Sequence, residues 1–196
     1  IDSLMRNSDI KHKVSGVTFL GVGVLEPRKR FDLLLKSFSM IASPNDKLLI
    51  AGTGSLQHEL ESLSKDLGIE SQVNFLGFVD DIDSLMRNSD IFVLTSNSEA
   101  FGLVLVEGLA AGLQVVSTNS FSGPAEVLGD GRYGFLAEVD DVNSIASSMK
   151  AAINSPISQE IIHEGASRFS IDSIVKKYLE FITIVKASDG NLDDPI

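Results

Sequence analysis

The chain has 196 residues, of which 43% are hydrophobic and 22% are charged, values that are ordinary for a soluble globular protein. It carries 27 acidic against 16 basic residues, and a net charge of −11 argues against nucleic-acid binding, which depends on neutralising phosphates. The absence of cysteine excludes disulfides and thiolate metal sites. No stretch approaches the roughly 20 apolar residues of a membrane span, and we expect neither a transmembrane segment nor a signal peptide.

The chain begins with a duplicated segment. Residues 1–10 and residues 82–91 have the same sequence, IDSLMRNSDI. A single duplication fits no repeat architecture. The second copy has an apolar stripe that leads into a predicted strand, whereas the first copy has no strand to follow it. We therefore assign residues 1–13 to a duplicated decapeptide and linker, whose origin the sequence does not explain, and predict one domain over residues 14–187.

Short apolar runs recur along this domain, each followed by a glycine or turn cluster and then by a helical pattern. Helical spacing covers residues 31–41, 56–67 and 101–111. Buried parallel strands alternate with helices in this way, so the sequence predicts an α/β fold with a parallel sheet and helices on both faces. The predicted strands are residues 17–20, 47–51, 73–76, 91–94 and 114–117, with a weaker sixth at 135–136.

The C-terminal part, from Val142 to about Lys186, has a mostly helical pattern with one break at residues 154–156. Residues 170–172 are predicted to cap the last helix, residues 171–185, whose apolar side chains fall on one face. The polar and acidic residues 188–196 are expected to be a disordered tail.

A basic segment follows the first predicted strand, in the sequence GVGVLEPRKRFDLLL from Gly21 to Leu35. A dinucleotide fingerprint is a weak interpretation, because Glu26 stands where its third glycine would be. Arg28, Lys29 and Arg30 lie together at the carboxyl end of a strand in an acidic chain. We predict that this segment binds a pyrophosphate, and the alternative is a solvated basic loop.

A second candidate segment follows the fourth predicted strand. Glu99 lies in the loop, Gly102 opens a helix, and Glu107 stands further along that helix. The free amides at a helix start bind anions, and helical side chains lean towards the N-terminus, so Glu107 can reach the same ligand. Either glutamate could instead be an ordinary surface residue, but the apolar neighbours of Glu107 favour a binding site.

Residues 98–128 resemble the signature of the retaining family 4 glycosyltransferases, and the resemblance extends over about residues 17–185. Glu99 and Glu107, with seven residues between them, match the paired acidic motif of that family. Residues 122–128 are similar to bacterial members that build surface polysaccharides and lipid-linked oligosaccharides. The resemblance implies a Rossmann-like sheet that forms the C-terminal, donor-binding half of a GT-B fold, with the acceptor bound by an N-terminal domain.

The resemblance also implies roles for individual residues. Glu99 would contact the donor sugar, the amides near Gly102 and Leu103 would hold the sugar and phosphate, and Glu107 would bind the ribose hydroxyls. The backbone near Phe78 and Val79 would line the base. The expected catalytic residues are Lys29 and Glu99, and the expected donor-binding residues are Gly23, Arg28, Phe78, Val79, Phe101, Gly102, Leu103 and Glu107.

One position departs from the family pattern. Family members place an arginine directly after the second glycine and a lysine five residues later; Lys29 matches the lysine, but Val24 occupies the arginine position. A valine cannot neutralise a departing diphosphate, although Arg28 or Arg30 could take over that role. The resemblance predicts retaining hexosyl transfer from a nucleoside diphosphate sugar, UDP-linked. Val24 favours the alternative, which is a binding module without catalysis.

The resemblance implies partners but no cofactor and no metal. The partners are the nucleotide-sugar donor and a glycan or lipid-linked glycan acceptor, the latter bound through the N-terminal domain. His12, His58 and His163 are scattered and have no acidic partner at metal-ligand spacing. We find no histidine–carboxylate cluster of an epimerase and no pyridoxal-phosphate lysine of a phosphorylase. The expected location is the cytoplasm, peripheral to the membrane in a full-length protein.

Overall fold

The computed structural model describes residues 16–121 and 123–189, with side chains as far as residue 185. Six strands form a single parallel sheet in the order β3-β2-β1-β4-β5-β6. This is the order of a Rossmann-like fold, with its reversal between β1 and β4. The strands are β1 Thr18–Val22, β2 Lys47–Ala51, β3 Val73–Gly77, β4 Ile91–Leu94, β5 Gln114–Thr118 and β6 Phe135–Ala137.

Helices cover both faces of the sheet, as the alternation of apolar runs and helical patterns predicted. A short 3-10 helix, Pro27–Lys29, precedes the first α-helix. The α-helices are α1 Phe31–Ile41, α2 Gln57–Asp66, α3 Ile82–Arg87, α4 Leu103–Ala110, α5 Gly123–Leu128, α6 Val142–Asn154, α7 Gln159–Ser167 and α8 Ile171–Asp189.

The core consists of two apolar layers, one on each side of the sheet. Successive residues of a strand point to opposite faces. Phe19 therefore packs with α1 residues such as Phe38 on one face, while Leu20 and Phe92 pack with α4 residues such as Leu105 on the other. All five of these side chains are fully buried. This two-sided burial explains why the strands read as continuous apolar runs rather than as alternating ones.

The predicted fold class is confirmed, and so is the weak sixth strand, but two helix starts differ from the prediction. The helix predicted from residue 101 begins at Leu103, because Gly102 takes a left-handed conformation (φ 80°) that ends the preceding loop. The helix predicted over residues 56–67 begins one residue later, at Gln57, with Leu56 as its N-cap residue, and no side chain of the described residues caps it.

The second copy of the decapeptide supplies α3 and the first residue of β4, as its apolar stripe predicted. Asp81 caps α3 by accepting a hydrogen bond from the Ser84 amide at 2.8 Å. The first copy and its linker, residues 1–13, lie outside the described residues, so the predicted domain boundary at residue 14 stays a prediction.

The last helix differs most from the prediction. Ser170 caps α8 as expected, its hydroxyl accepting a hydrogen bond from the Ser173 amide at 3.2 Å. However, the helix continues to Asp189, so Ser188 and Asp189 are helical rather than part of a tail; residues 190–196 lie outside the described residues. Its apolar face is largely exposed, with Ile171 72% accessible. Within the described residues, no helix is both long and apolar enough to cross a membrane.

Candidate functional site

The candidate site lies where the strand order reverses. β1 and β4 are neighbours in the sheet, but α1, which follows β1, and α4, which follows β4, pack on opposite faces. The two loops therefore leave the carboxyl ends of neighbouring strands towards opposite faces, and open α/β sheets bind ligands in the crevice at such a point. The basic segment after β1 and the loop of Glu99 after β4 both border this crevice.

Close backbone packing fixes the loop after β1. The Gly23 amide donates to the carbonyl of Ala51 at 3.0 Å. A Cβ on Gly52 would lie 1.9 Å from the Gly23 carbonyl oxygen, so only glycine fits at position 52. The 3-10 helix that follows has Pro27 at its start, which presets the backbone for the turn that carries Arg28 and Lys29.

Three hydrogen bonds join this basic turn to the end of β4. The Thr95 hydroxyl lies 3.0 Å and 2.9 Å from the carbonyl oxygens of Lys29 and Arg30. The Asn97 amide donates to the Arg28 carbonyl at 3.0 Å. Because Thr95 is buried, its bonds set the distance between the two loops, and the turn is held as part of the sheet edge rather than as a free loop.

Lys29 and Glu99 form an ion pair between the two loops. The Lys29 Nζ lies 2.5 Å from the Glu99 Oε1, and the two side chains are only 13% and 10% exposed. The Ser96 hydroxyl donates to the same oxygen at 2.6 Å. Burial alone would raise the pKa of the Glu99 carboxyl, but the hydrogen bonds from Lys29 and Ser96 and the charges of Lys29 and Arg28 hold that pKa below its ordinary value. Glu99 is therefore ionised over the physiological range.

The two arginines that flank Lys29 differ in position. The Arg28 Nη1 donates to the Ser98 carbonyl at 2.9 Å and lies 3.7 Å from the Glu99 Oε1, so this guanidinium borders the crevice. Its Nη2 is bonded to Glu26 at 2.8 Å. Arg30 instead pairs with the carboxylates of Asp32 and Asp140. Of the two arginines that could replace the missing family arginine, the geometry favours Arg28.

Helix α4 begins beside this pair. Gly102 is its N-cap residue, and no side chain of the described residues caps it, which leaves its first amides available to a ligand. The exposed Leu103 is its first residue. Phe101 lies one residue before the N-cap. Its ring packs against the ring of Phe169 at a centroid distance of 5.6 Å.

Glu107 lies further along α4 and does not contact the Lys29–Glu99 pair. Burial and the negative charge of Asp83 on α3 raise the pKa of its carboxyl above the ordinary value. No hydrogen bond or ion pair from another described residue reaches this carboxylate. A half-buried carboxylate in this condition gains most from hydroxyl or amide donors that a ligand brings.

The remaining predicted residues lie on the same edge of the sheet. Phe78 follows β3 and is 78% exposed, whereas Val79 is half-buried. The Gly77 carbonyl accepts a hydrogen bond from the Gly52 amide at 2.7 Å, which ties the loop after β3 to the loop after β2. Val24, at the position of the family arginine, is 56% exposed, so a longer side chain has room there.

The structure thus brings Lys29, Arg28 and Glu99 into direct contact, and places Gly102 and Leu103 on the same edge. It does not join Glu107 or Phe78 to them by any contact between described residues. The sequence analysis missed two residues that shape the site, Thr95 and Ser96. Two buried hydroxyl residues at the carboxyl end of an apolar strand are the signal that could have found them, because a buried hydroxyl needs a partner.

Comparisons with known proteins show the family of the chain. Residues 6–169 match the family model of the glycosyl transferases group 1. A protein of Haemophilus influenzae described as an uncharacterized glycosyltransferase is 31% identical over 170 residues, which is 86% of this chain and 48% of that protein. An N-acetylgalactosaminyltransferase of Campylobacter jejuni that acts on a diphospho-undecaprenol-linked sugar is 37% identical over 134 residues, covering 68% of this chain and 36% of that protein.

A solved structure also matches. The Anabaena protein HepE, in a crystal structure with UDP and glucose, superposes with a TM-score of 0.76 and 25% identity over 86% of this chain and 48% of HepE. The chain therefore spans about half the length of the proteins that it matches. The Rossmann-like sheet and the family match lead to one conclusion: the chain belongs to the glycosyl transferases group 1.

Proposed function

We propose that this chain binds a nucleoside diphosphate sugar, UDP-linked, in the crevice between the loops after β1 and β4. The observation that carries the proposal is the Lys29–Glu99 pair, 2.5 Å apart and mostly buried at the point where the strand order reverses. The HepE structure, which holds UDP and glucose, supports the choice of donor.

The pair is suited to a ligand that has both a diphosphate and a hydroxyl-bearing sugar. An ammonium group has three donors, so Lys29 can keep its bond to Glu99 and still donate to a phosphate oxygen. The free amides at Gly102 and Leu103 offer a second set of donors, with the favourable end of the α4 dipole behind them. The ionised Glu99 accepts hydrogen bonds from sugar hydroxyls.

In the transfer that we propose, the bond between the anomeric carbon and the diphosphate oxygen breaks, and its electron pair leaves with the diphosphate. Lys29 and the start of α4 stabilise that charge, with Arg28 at the rim as a further cation. The acceptor hydroxyl oxygen bonds to the anomeric carbon on the same face and gives its proton to the departing diphosphate oxygen. None of these steps needs a metal ion, and retention follows from the family resemblance.

The acceptor would be a glycan or a lipid-linked glycan, held by a further domain of a longer protein. The Campylobacter relative acts on a lipid-linked sugar and is much longer than the matched region. We therefore propose that the isolated chain binds donor but transfers little or no sugar. A cytoplasmic location, peripheral to the membrane, fits a donor of this class.

The test is a calorimetric titration of the 196-residue chain with UDP, UDP-glucose and uridine. We expect UDP and UDP-glucose to bind and uridine to bind far more weakly, because only the first two carry the diphosphate. Equal affinities for UDP and uridine, or no binding of any of the three, would reject the proposal. Retention is tested separately, from the anomeric proton coupling of the product made by a full-length protein.

A second candidate function is a nucleotide-sugar-binding module without catalysis, and Val24 is the observation that favours it. The test is the transfer rate of Val24→Arg against wild type in a full-length protein. The exposed position accommodates an arginine, and one electrostatic stabiliser is typically worth about 10²–10³ in rate. A higher rate would show an enzyme with a weakened cation cluster. A lower rate would show that Arg28 already fills this role, and donor binding without transfer by either protein would establish the module.

A further inference from the structure

Phe169 is distant in the sequence from the loop that carries Glu99, but its ring contacts that loop. Its ring meets the ring of Phe101 edge to face, with centroids 5.6 Å apart and planes at 77°. Phe101 lies between Glu99 and Gly102 in the sequence, so the contact acts on the segment that presents both groups of the proposed donor site. The loop after β4 has no regular structure of its own between residues 95 and 101.

Arg168 fixes Phe169 in this position. Its guanidinium lies 5.1 Å from the ring centroid of Phe169 and 4.8 Å from that of Tyr133. The same group donates to the carbonyl oxygens of Glu126 and Val127 at 3.0 Å and 3.2 Å, near the end of α5. Arg168 therefore ties the aromatic pair to α5 rather than leaving Phe169 as a free ring on the surface.

The start of α5 returns to Phe101 from the other side. A Cβ on Gly123 would lie 2.5 Å from the Cα and from the carbonyl oxygen of Phe101, so the two backbones are in direct contact. Phe101 is therefore linked to α5 in two ways: through Phe169 and Arg168, and directly through Gly123. A segment held on both its ring and its backbone has few alternative conformations.

We propose that Phe169, held by Arg168, is a positioning residue for residues 99–102, and that it sets the placement of the Glu99 carboxylate and of the α4 start for the donor. The proposal rests on the proposed function for its consequence in donor binding. The positioning itself is a property of the protein without ligand and is testable on its own.

The first measurement is amide hydrogen exchange of the unliganded chain. In Phe169→Leu, we expect exchange of the two hydrogen-bonded amides that flank residues 99–102, those of Asn97 and Leu105, to accelerate by about two- to ten-fold, the range that the loss of one aromatic pair implies. Exchange in β4 should not change. Phe169→Tyr keeps the ring and should exchange as wild type does.

Phe38→Leu is the matched control, because Phe38 forms an edge-to-face pair with Phe19 at 5.4 Å on the opposite side of the sheet. It should lower the melting temperature and leave exchange of the Asn97 and Leu105 amides unchanged. Unchanged exchange at these residues in Phe169→Leu, or an equal acceleration in Phe38→Leu, would overturn the proposal.

The second measurement is the Kd for UDP-glucose in the same variants. We expect Phe169→Leu to weaken binding by about two- to ten-fold, and Phe169→Tyr and Phe38→Leu to bind as wild type does. Wild-type affinity in Phe169→Leu, with a wild type that binds, would overturn the positioning role alone. If the wild type does not bind UDP-glucose, the proposed function fails, and the exchange result still decides whether Phe169 positions the loop.

Discussion

The two glutamates of the paired acidic motif have opposite surroundings. Glu99 lies against Lys29, Ser96 and Arg28, which hold the pKa of its carboxyl below the ordinary value despite its burial. Glu107, on the adjoining helix, is affected chiefly by burial and by the charge of Asp83, and the pKa of its carboxyl is raised. Glu99 already has its Oε1 bonded by Lys29 and Ser96, whereas the Glu107 carboxylate has no bond from another described residue.

This difference indicates two separate tasks for residues that look equivalent in the sequence. The region around Glu99 is a built cluster in which removing one charge disturbs the others. No hydrogen bond or ion pair from another described residue reaches the Glu107 carboxylate, so we expect a change there to affect binding more than stability. The predictions that follow test whether the two regions separate in this way.

The largest effect is expected for the affinity of UDP in Lys29→Ala. A charge-assisted hydrogen bond to phosphate is worth about 1.5–3 kcal/mol, so Kd should rise by roughly 10- to 100-fold. Arg28→Ala should have a smaller effect, because its guanidinium lies at the rim and is already bonded to Glu26 and Ser98.

Calorimetry on the two variants decides between a defined pair and a diffuse basic loop. Lys36→Ala, which removes a lysine that pairs with Asp32 on α1, is the control for a change in net charge. Equal losses in Lys29→Ala and Arg28→Ala would show that no single cation dominates.

The second prediction concerns the pH dependence of stability in Glu99→Gln. The pKa of Glu99 is lowered on folding from its ordinary value of 4.5, so its stabilising contribution is present above that value and is lost as the pH falls through the folded-state pKa. At pH 7 the variant should therefore unfold more easily by about 1–3 kcal/mol, and the gap should narrow in acid.

Urea denaturation at pH 7 and at successively lower pH measures this difference. Glu70→Gln, at an exposed position before β3, is the control and should match wild type. A gap between Glu99→Gln and wild type that is the same at every pH would mean that the amide disturbs packing rather than the ion pair.

The smallest change, and the one that completes the comparison, is expected for Glu107→Gln. The stability of this variant at pH 7 should equal or slightly exceed that of wild type, because a raised pKa means that ionising Glu107 at neutral pH costs folding free energy. In the wild type, the protonated Glu107 carboxyl contributes stability below pH 4.5, and this contribution is lost as the pH rises through the folded-state pKa. Affinity for UDP should fall by about 5- to 10-fold, the worth of one hydrogen bond.

Melting curves and titrations of the same preparation separate these two readouts. A melting temperature several degrees below wild type, with unchanged affinity for UDP, would make Glu107 a structural residue of α4. The affinity of the wild type should also decline in mild acid as Glu107 takes up a proton, and Glu107→Gln should lack that decline.

Much of the fold followed from the sequence, because strands buried on two faces leave unbroken apolar runs and their helices leave a 3.6-residue pattern. Lys29 and Glu99 could be assigned to one edge for the same reason. Their pairing depends on Thr95 and Ser96, and two hydroxyl residues at the end of an apolar strand indicate only that they have partners, not which groups those partners are. The closeness of Phe101 and Phe169 depends on how α7 packs against α4, which no local pattern encodes. The sequence also pointed to an apolar face on α8, but could not show that the helix leaves it exposed.

That exposed face of α8 has a practical consequence for anyone who purifies this chain. Its apolar side chains, among them Tyr178, Leu179 and Phe181, are open to solvent, while a net charge of −11 keeps separate molecules apart. At 0.1 M, added salt screens the repulsion between charges more than about 10 Å apart but leaves the apolar attraction intact. The protein should accordingly stay dispersed in dilute buffer and associate as ionic strength rises, the reverse of the behaviour of a chain held together by surface ion pairs.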